Sequence, residues 1–374
     1  MLLDYVSSIQ ERYFTRSLGR MTTSGIELDA LLEQLVLQEG SDLHLRYGEP
    51  PLYRIAGSLT KTEHPGLAEK DLENLIFGIM SPEQRKVFEK QLEFDMAYEI
   101  PGVARFRVNC FKQMGHIGAV MRTIPINIKT IDELNLPPVF KKIAQLPRGL
   151  VLVTGPTGSG KSTTLAAIIE FINNNARKHI ITVEDPIEFM HRDKNSIIEQ
   201  REVGIDTKSY SEALRRVIRQ NPDIILVGEM RDLETMAETI TAAETGHLVF
   251  STLHTIDAVQ TVDRIIDVFP PSHQQQIRLQ LSMTLQAVIT ETLLRKKDGA
   301  GRIPAFEIMT CTSAVRSAIR EAKTHQIFTA IQTGSRMGMI TMDQYLKNLY
   351  HQGAIEYEEA CAHSTRPESF NNHA

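Results

Sequence analysis

The chain has 374 residues, enough for two domains of ordinary size, and a formal net charge of −5 from 41 basic and 46 acidic side chains. That balance excludes the broad basic footprint of a general nucleic-acid binder. Cys110, Cys311 and Cys361 stand too far apart in sequence for a zinc knuckle or a disulfide framework.

No apolar run approaches the length that crosses a bilayer. The first twenty or so residues carry Asp4 early and lack a long apolar core, so they do not read as a secretory signal. These features predict a cytoplasmic protein.

Residues 1–21 read as an N-terminal extension. Leu2, Val6, Ile9 and Tyr13 fall at helical spacing, which suits a docking helix or a frayed tail, and Met21 is an alternative start. Residues 22–124 read as a separate α+β domain. Leu28, Leu31, Leu32 and Leu35 make one apolar helical face that stops at Gly40. Strand-like pieces follow at 42–46 and 52–56, then two helices, the second opened by Ser81 as N-cap and Pro82 at its first position. Residues 94–123 return to strand character, and 125–138 read as a linker.

From residue 139 the pattern alternates strand and helix up to 363, as a parallel sheet covered on both faces requires. The predicted strands are 150–154, 179–183, 223–227 and 248–252. Beyond Pro270, the residues Ile277, Leu281, Leu285, Val288 and Ile289 predict one face of a long helix. A short strand near 303–309 and further helices follow, and 364–374 is a polar tail.

Residues 155–163 read GPTGSGKST, with an apolar strand before and a helix-compatible run after. This pattern carries a mechanism. Gly155, Gly158 and Gly160 let the backbone curl, so that amide groups of the loop, from Thr157 and Ser159 through to Thr163, point at phosphate oxygens. The positive end of the new helix faces the same anion. Lys161 reaches the β- and γ-phosphates and the Ser162 hydroxyl takes Mg²⁺. The chain is therefore expected to bind a nucleoside triphosphate, ATP, with Mg²⁺.

Hydrolysis also needs an aligned water and a metal shell. The run Ile224-Ile225-Leu226-Val227 ends in Gly228-Glu229, so glycine stands where many such enzymes place Asp, and Glu229 is the candidate to polarise the water. The other strand end offers Glu184, Asp185 and Glu188 as the missing carboxylates, with a structural turn as the alternative for Asp185. His254 lies just past the end of its strand, where an imidazole can sense phosphate or act as a structural donor. His247, at the other end, reads as structural. Arg105 and Arg107 have the period of one sheet face. With Arg122 they form either a solvated basic face or fingers that reach phosphate across a domain or subunit boundary.

The linked segments GPTGSGKST, ITVEDPIEF, NPDIILVGEMRD and TGHLVFSTLHT resemble the secretion and type IV pilus ATPase superfamily, and within it the pilus retraction ATPases. SDLHL, PGVARFRVN, MRTIP, QREVG and DVFP extend the similarity from about residue 26 to 360. The resemblance implies a RecA-like P-loop motor domain of α/β class preceded by a smaller PAS-like α+β domain. It also implies a homo-hexameric ring, with ATP between the two domains.

By the same resemblance, Glu184, Asp185 and Glu188 match the Asp box, Glu229 the catalytic glutamate and His254 the His box. Arg105, Arg107 and Arg122 match the cationic contacts to nucleotide. Residues 314–321, AVRSAIRE, resemble an element linked to retraction but depart from it at three positions. Implied partners are a pilus platform protein of the inner membrane and a paralogous pilus ATPase, with no nucleic acid. An accessory ring subunit and an assembly or secretion ATPase are the alternatives. Assembly and secretion ATPases carry a longer N-terminal region and a tetracysteine segment, which favours the retraction branch for this chain.

Overall fold

The computed structural model describes residues 25–55, 57–124, 128–299, 301–364 and 367. The extension 1–21 lies outside them, as does the tail apart from Ser364 and Pro367. The chain divides between Ile126 and Asn127 into two compact units.

The first unit opens with α1 (Leu28–Leu37), which buries the four predicted leucines. Strands β1 (Asp42–Leu45), β2 (Leu52–Ile55) and β3 (Ser58–Lys61) precede α2 (Glu69–Phe77) and α3 (Pro82–Gln91). Ser81 caps α3 reciprocally: its Oγ accepts the Gln84 backbone amide at 3.2 Å, and the Gln84 side-chain Oε1 accepts the Ser81 backbone amide at 2.8 Å. The strand-like stretch 94–123 resolves into β4 (Glu93–Ile100), β5 (Ala104–Gln113) and β6 (His116–Ile124). All six strands form one antiparallel sheet in the order β3-β2-β1-β6-β5-β4. Period-2 alternation sends Leu43, Tyr53, Phe106, Val108 and Met121 into the core and leaves the other face polar. The edge strand β3, exposed throughout, lacks that alternation and was not expected from sequence.

The second unit begins with α4 (Val139–Ala144), β7 (Gly149–Thr154) and α5 (Lys161–Asn175). Next come β8 (His179–Glu184), β9 (Ile197–Glu202), α6 (Tyr210–Val217), β10 (Ile224–Val227), α7 (Leu233–Glu244) and β11 (Leu248–Leu253). Then follow α8 (Ala258–Asp267), α9 (Pro271–Thr284), β12 (Leu285–Arg295) and β13 (Arg302–Thr310). Helices α10 (Ser313–Arg320), α11 (Gln326–Thr333), α12 (Met342–His351) and α13 (Tyr357–His363) complete it.

Seven strands run in the order β13-β12-β7-β11-β10-β8-β9, all parallel except β13. Leu150 and Leu152 face one hydrophobic cluster and Val151 and Val153 the other, so helices cover both faces. Phe250, fully buried on β11, is typical of this core, and its truncation to Ala would cost about 3–5 kcal/mol.

The single long helix predicted beyond Pro270 is not formed. Helix α9 stops at Thr284, and Leu285, Val288 and Ile289 belong to β12. Their spacing coincides with helical phase, but β12 pairs with β7 on one edge and β13 on the other. A buried strand there favours the β-branched run that helix periodicity imitates. Within the stretch 125–138, Ile131 and Leu136 are buried in the second unit's core, so that part is packed structure rather than a free spacer.

Candidate active site

Strand β7 delivers the chain into the phosphate loop, where Gly155, Gly158 and Gly160 all adopt positive φ. Two of them have a second reason to be glycine. A Cβ on Gly155 would lie 2.2 Å from the backbone oxygen of Glu291, and one on Gly160 would lie 2.4 Å from Glu291 Oε1. Helix α5 then starts at Lys161 with no side chain capping it, which leaves its first amide groups to an anion. Thr157 and Gly158 are exposed at the rim, Ser159 is buried with an unpartnered Oγ, and Ser162 and Thr163 are half-buried in the first turn.

Lys161 is only 8% exposed, and its Nζ donates to the carbonyls of Gly155 and Pro156, each at 2.9 Å. Burial pulls its pKa down, and the charges of Glu291, Glu188 and Glu229 push back. All three residues follow parallel strands that end on the same side of the sheet, so two of the predicted acids, Glu188 and Glu229, lie within electrostatic reach of the predicted lysine.

Glu229 follows β10. One of its carboxylate oxygens pairs with Arg231, and the other lies 3.3 Å from His254 Nε2. Strands β10 and β11 are parallel neighbours with Val227 opposite Ser251, so the residues just past their ends lie side by side. That placement unites Glu229 with His254. His247, at the opposite end of β11, has its Nδ1 2.9 Å from the Ala242 carbonyl.

The glycine at 228 has a steric cause: a Cβ there would lie 2.9 Å from the Tyr210 hydroxyl and 3.3 Å from Glu184 Cα. The Glu184 carboxylate accepts from Thr182 Oγ1 at 2.6 Å and Gln200 Nε2 at 3.3 Å. Burial raises its pKa against those hydrogen bonds. Asp185 and Glu188 are exposed on the turn that follows.

The segment after that turn is clamped to α5. Glu170 pairs with Lys194 and lies 3.4 Å from His191 Nδ1, while Asn173 Nδ2 donates to the Arg192 carbonyl at 2.8 Å. The hydrogen bond from His191, with those from Lys194 and Asn173, overcomes burial and holds the Glu170 carboxyl at about 2.

In the first unit, Arg107 and Arg122 sit directly opposite one another on β5 and β6, and Arg105 shares their face. The row continues across β1 and β2, where Asp42 pairs with both Arg122 at 2.9 Å and Arg54 at 3.5 Å. Arg107 stands 3.9 Å from Asp95.

Three participants escaped the sequence reading. Arg231 was visible as a cation two residues after Glu229. Arg54 carries no signal until the strand register is known. Glu291, in an apolar run taken for helix, was detectable only as a lone carboxylate among Val, Ile, Thr and Leu. Among the described residues, no group of three or more His, Cys, Asp or Glu is placed to hold a metal ion.

The family model described as type II/IV secretion system protein matches residues 23–361. The chain is 52% identical to the type IV pilus retraction ATPase PilT of Pseudomonas aeruginosa, over 92% of this chain and 100% of that protein. It is 40% identical to the type IV pilus ATPase PilU of the same organism, over 91% of this chain and 89% of that one. The crystal structure of the pilus retraction motor PilT with bound ADP superposes at a TM-score of 0.86 and 43% identity, covering 91% of this chain and 98% of that one.

Proposed function

This chain belongs to the type II/IV secretion system protein family, and from that premise we propose that it is an ATPase motor driving type IV pilus retraction and so twitching motility. It works as a homo-hexameric ring on the cytoplasmic side of the inner membrane, against a platform protein of the pilus machine. The observation that carries the reading is the gathering of Glu188, Glu229 and Lys161 at one end of the parallel sheet, beside an uncapped helix N-terminus. Nucleotide binding is supported by the ADP in the superposable motor.

In this reading Lys161 leaves its loop carbonyls for the β- and γ-phosphates of ATP, and the loop amides hold the remaining oxygens. Glu229 orients the attacking water, while Arg231 and His254 hold its carboxylate in register. Glu188 lies near the same phosphates. Bound Mg²⁺ would neutralise charge developing on the phosphates. Ser162 and phosphate oxygens suit a cation that keeps several waters, and Asp185 and Glu184 fit as acids reached through those waters. The bonds that Thr182 and Gln200 make to Glu184 fix that carboxylate. Arg105, Arg107 and Arg122 meet the phosphates across a subunit boundary of the ring. Closing and reopening that boundary converts hydrolysis into movement.

A second reading, an accessory ring subunit beside a partner ATPase, is favoured by the altered segment 314–321. Steady-state hydrolysis by the purified protein alone, abolished in Lys161→Ala, excludes a purely accessory role. A deletion strain decides the direction of work. Excess immobile surface pili are expected, whereas absent pili would make the protein an assembly motor.

A further inference from the structure

We propose that Glu291 is a positioning residue of the nucleotide site, bracing the phosphate loop from beneath so that Lys161 and Ser162 meet the phosphates in register. This rests on the ATPase reading above and assigns a residue that does not touch the reacting atoms.

The argument begins with the strands. Thr290 on β12 pairs with Thr154 on β7, their hydroxyls 2.9 Å apart, so β7 ends against β12 at the point where the loop begins, while β12 continues beside β13 to Arg295. The next residue on β12 is Glu291, and it meets the loop at both ends. Its backbone oxygen occupies the space under Gly155, where the loop starts. Its side chain reaches Gly160, where the loop ends, and Oε2 accepts from Thr164 Oγ1 at 2.8 Å in the first turn of α5.

Glu291 as a whole is 2% exposed. Burial pushes its pKa up to about 8 against the hydrogen bond from Thr164 and the charge of Lys161. A buried polar group held by few partners is costly to leave unmade and specifies one arrangement of its neighbours. Phosphate contacts hold the loop only from above. Glu291 supplies the contact from below.

The test uses the full-length protein, with equilibrium binding of a fluorescent ADP analogue and hydrolysis measured across ATP concentration. Glu291→Ala is expected to raise both the ADP Kd and the ATP KM about tenfold, while kcat stays within about threefold, because ground-state and transition-state binding fall together. Glu291→Gln keeps the shape and an acceptor for Thr164, so it should restore both constants to within about threefold of the parent. Thr164→Val should reproduce the Ala effect, and the double variant should add little to either single change. A purely structural role would instead lower the melting temperature and the active fraction and leave KM in place.

Parental KM and Kd in Glu291→Ala overturn the proposal, as does Glu291→Gln being as impaired as Ala. Where the Ala variant does not fold, Thr164→Val decides: parental constants there overturn it too. A parent that binds no ADP removes the ATPase reading and this proposal with it. A parent that binds ADP beside an unaffected Ala variant removes this proposal alone.

Discussion

In the second unit the cation of the phosphate loop is enclosed: Lys161 is 8% exposed and hydrogen-bonded to its own loop, with Glu291 below it. In the first unit the cations stand on an open sheet face. The Arg122 side chain is 67% exposed, and Arg107 stands 3.9 Å from the nearest acid. Enclosed groups hold geometry, because leaving them unpaired costs more than any exposed pair is worth. Exposed pairs contribute little and exchange readily, with water or a stronger anion taking either side. The pairing of Arg122 with Asp42 suits a group that must let go of one carboxylate to reach a phosphate. The enclosure of Lys161 suits a group held beside its loop that has only to exchange two loop carbonyls for phosphate oxygens.

Substitutions on the two sides should therefore differ in kind. The largest effect is expected from Lys161→Ala, which should weaken nucleotide binding at least about a hundredfold by removing a desolvated cation from the phosphates. ADP titration measures it, and parental affinity would break the enclosed half of the comparison. Next, Arg107→Ala should lower kcat about 10- to 100-fold in the assembled protein, while stability to urea changes by less than about 0.5 kcal/mol. An unchanged kcat would leave the arginine face as an ordinary solvated surface.

A smaller effect concerns pH. The Glu170 carboxyl is held at about 2, below its ordinary 4.5. The stability it contributes is therefore present above about pH 4.5 and is lost as pH falls towards about 2, on the order of 1–2 kcal/mol after allowance for its residual exposure. Melting of Glu170→Gln against the parent should show a gap at pH 7 that closes in acid, and a gap independent of pH would remove this ion pair from the account. The smallest effect is expected for Asp42→Asn. Burial opposes ionisation of Asp42, yet hydrogen bonds from Ser41 and Arg122 hold its pKa below the usual value. Losing that charge should cost the first unit about 1 kcal/mol, because Arg54 and Arg122 retain water as a partner.

How much of this was legible beforehand depended on how local the physics is. The phosphate loop could be read directly, since cradling an anion needs glycines, Lys161 and Ser162 in one continuous stretch. The arginine face was partly readable, because Arg105 and Arg107 differ by two residues, but Arg54 and Asp42 joined it only through cross-strand register. Glycine at 228 looked like a missing carboxylate. Its cause, the Tyr210 hydroxyl pressed against that position, comes from a helix distant in sequence. Glu291 was hidden for a related reason. Its strand imitates helical phase, and only pairing on both edges with β7 and β13 reveals it as the neighbour of the loop. Contacts fixed by sheet order leave no periodic trace along the chain.

The central claim is that Glu229 aligns a water on a triphosphate held by Lys161. Its most direct test is steady-state ATP hydrolysis and nucleotide binding by the purified protein and Glu229→Gln, side by side. The account predicts hydrolysis by the parent, and in the variant nucleotide affinity within about threefold and turnover lower by about 10²–10⁴. A parent without hydrolysis, or a variant with undiminished turnover, would contradict it.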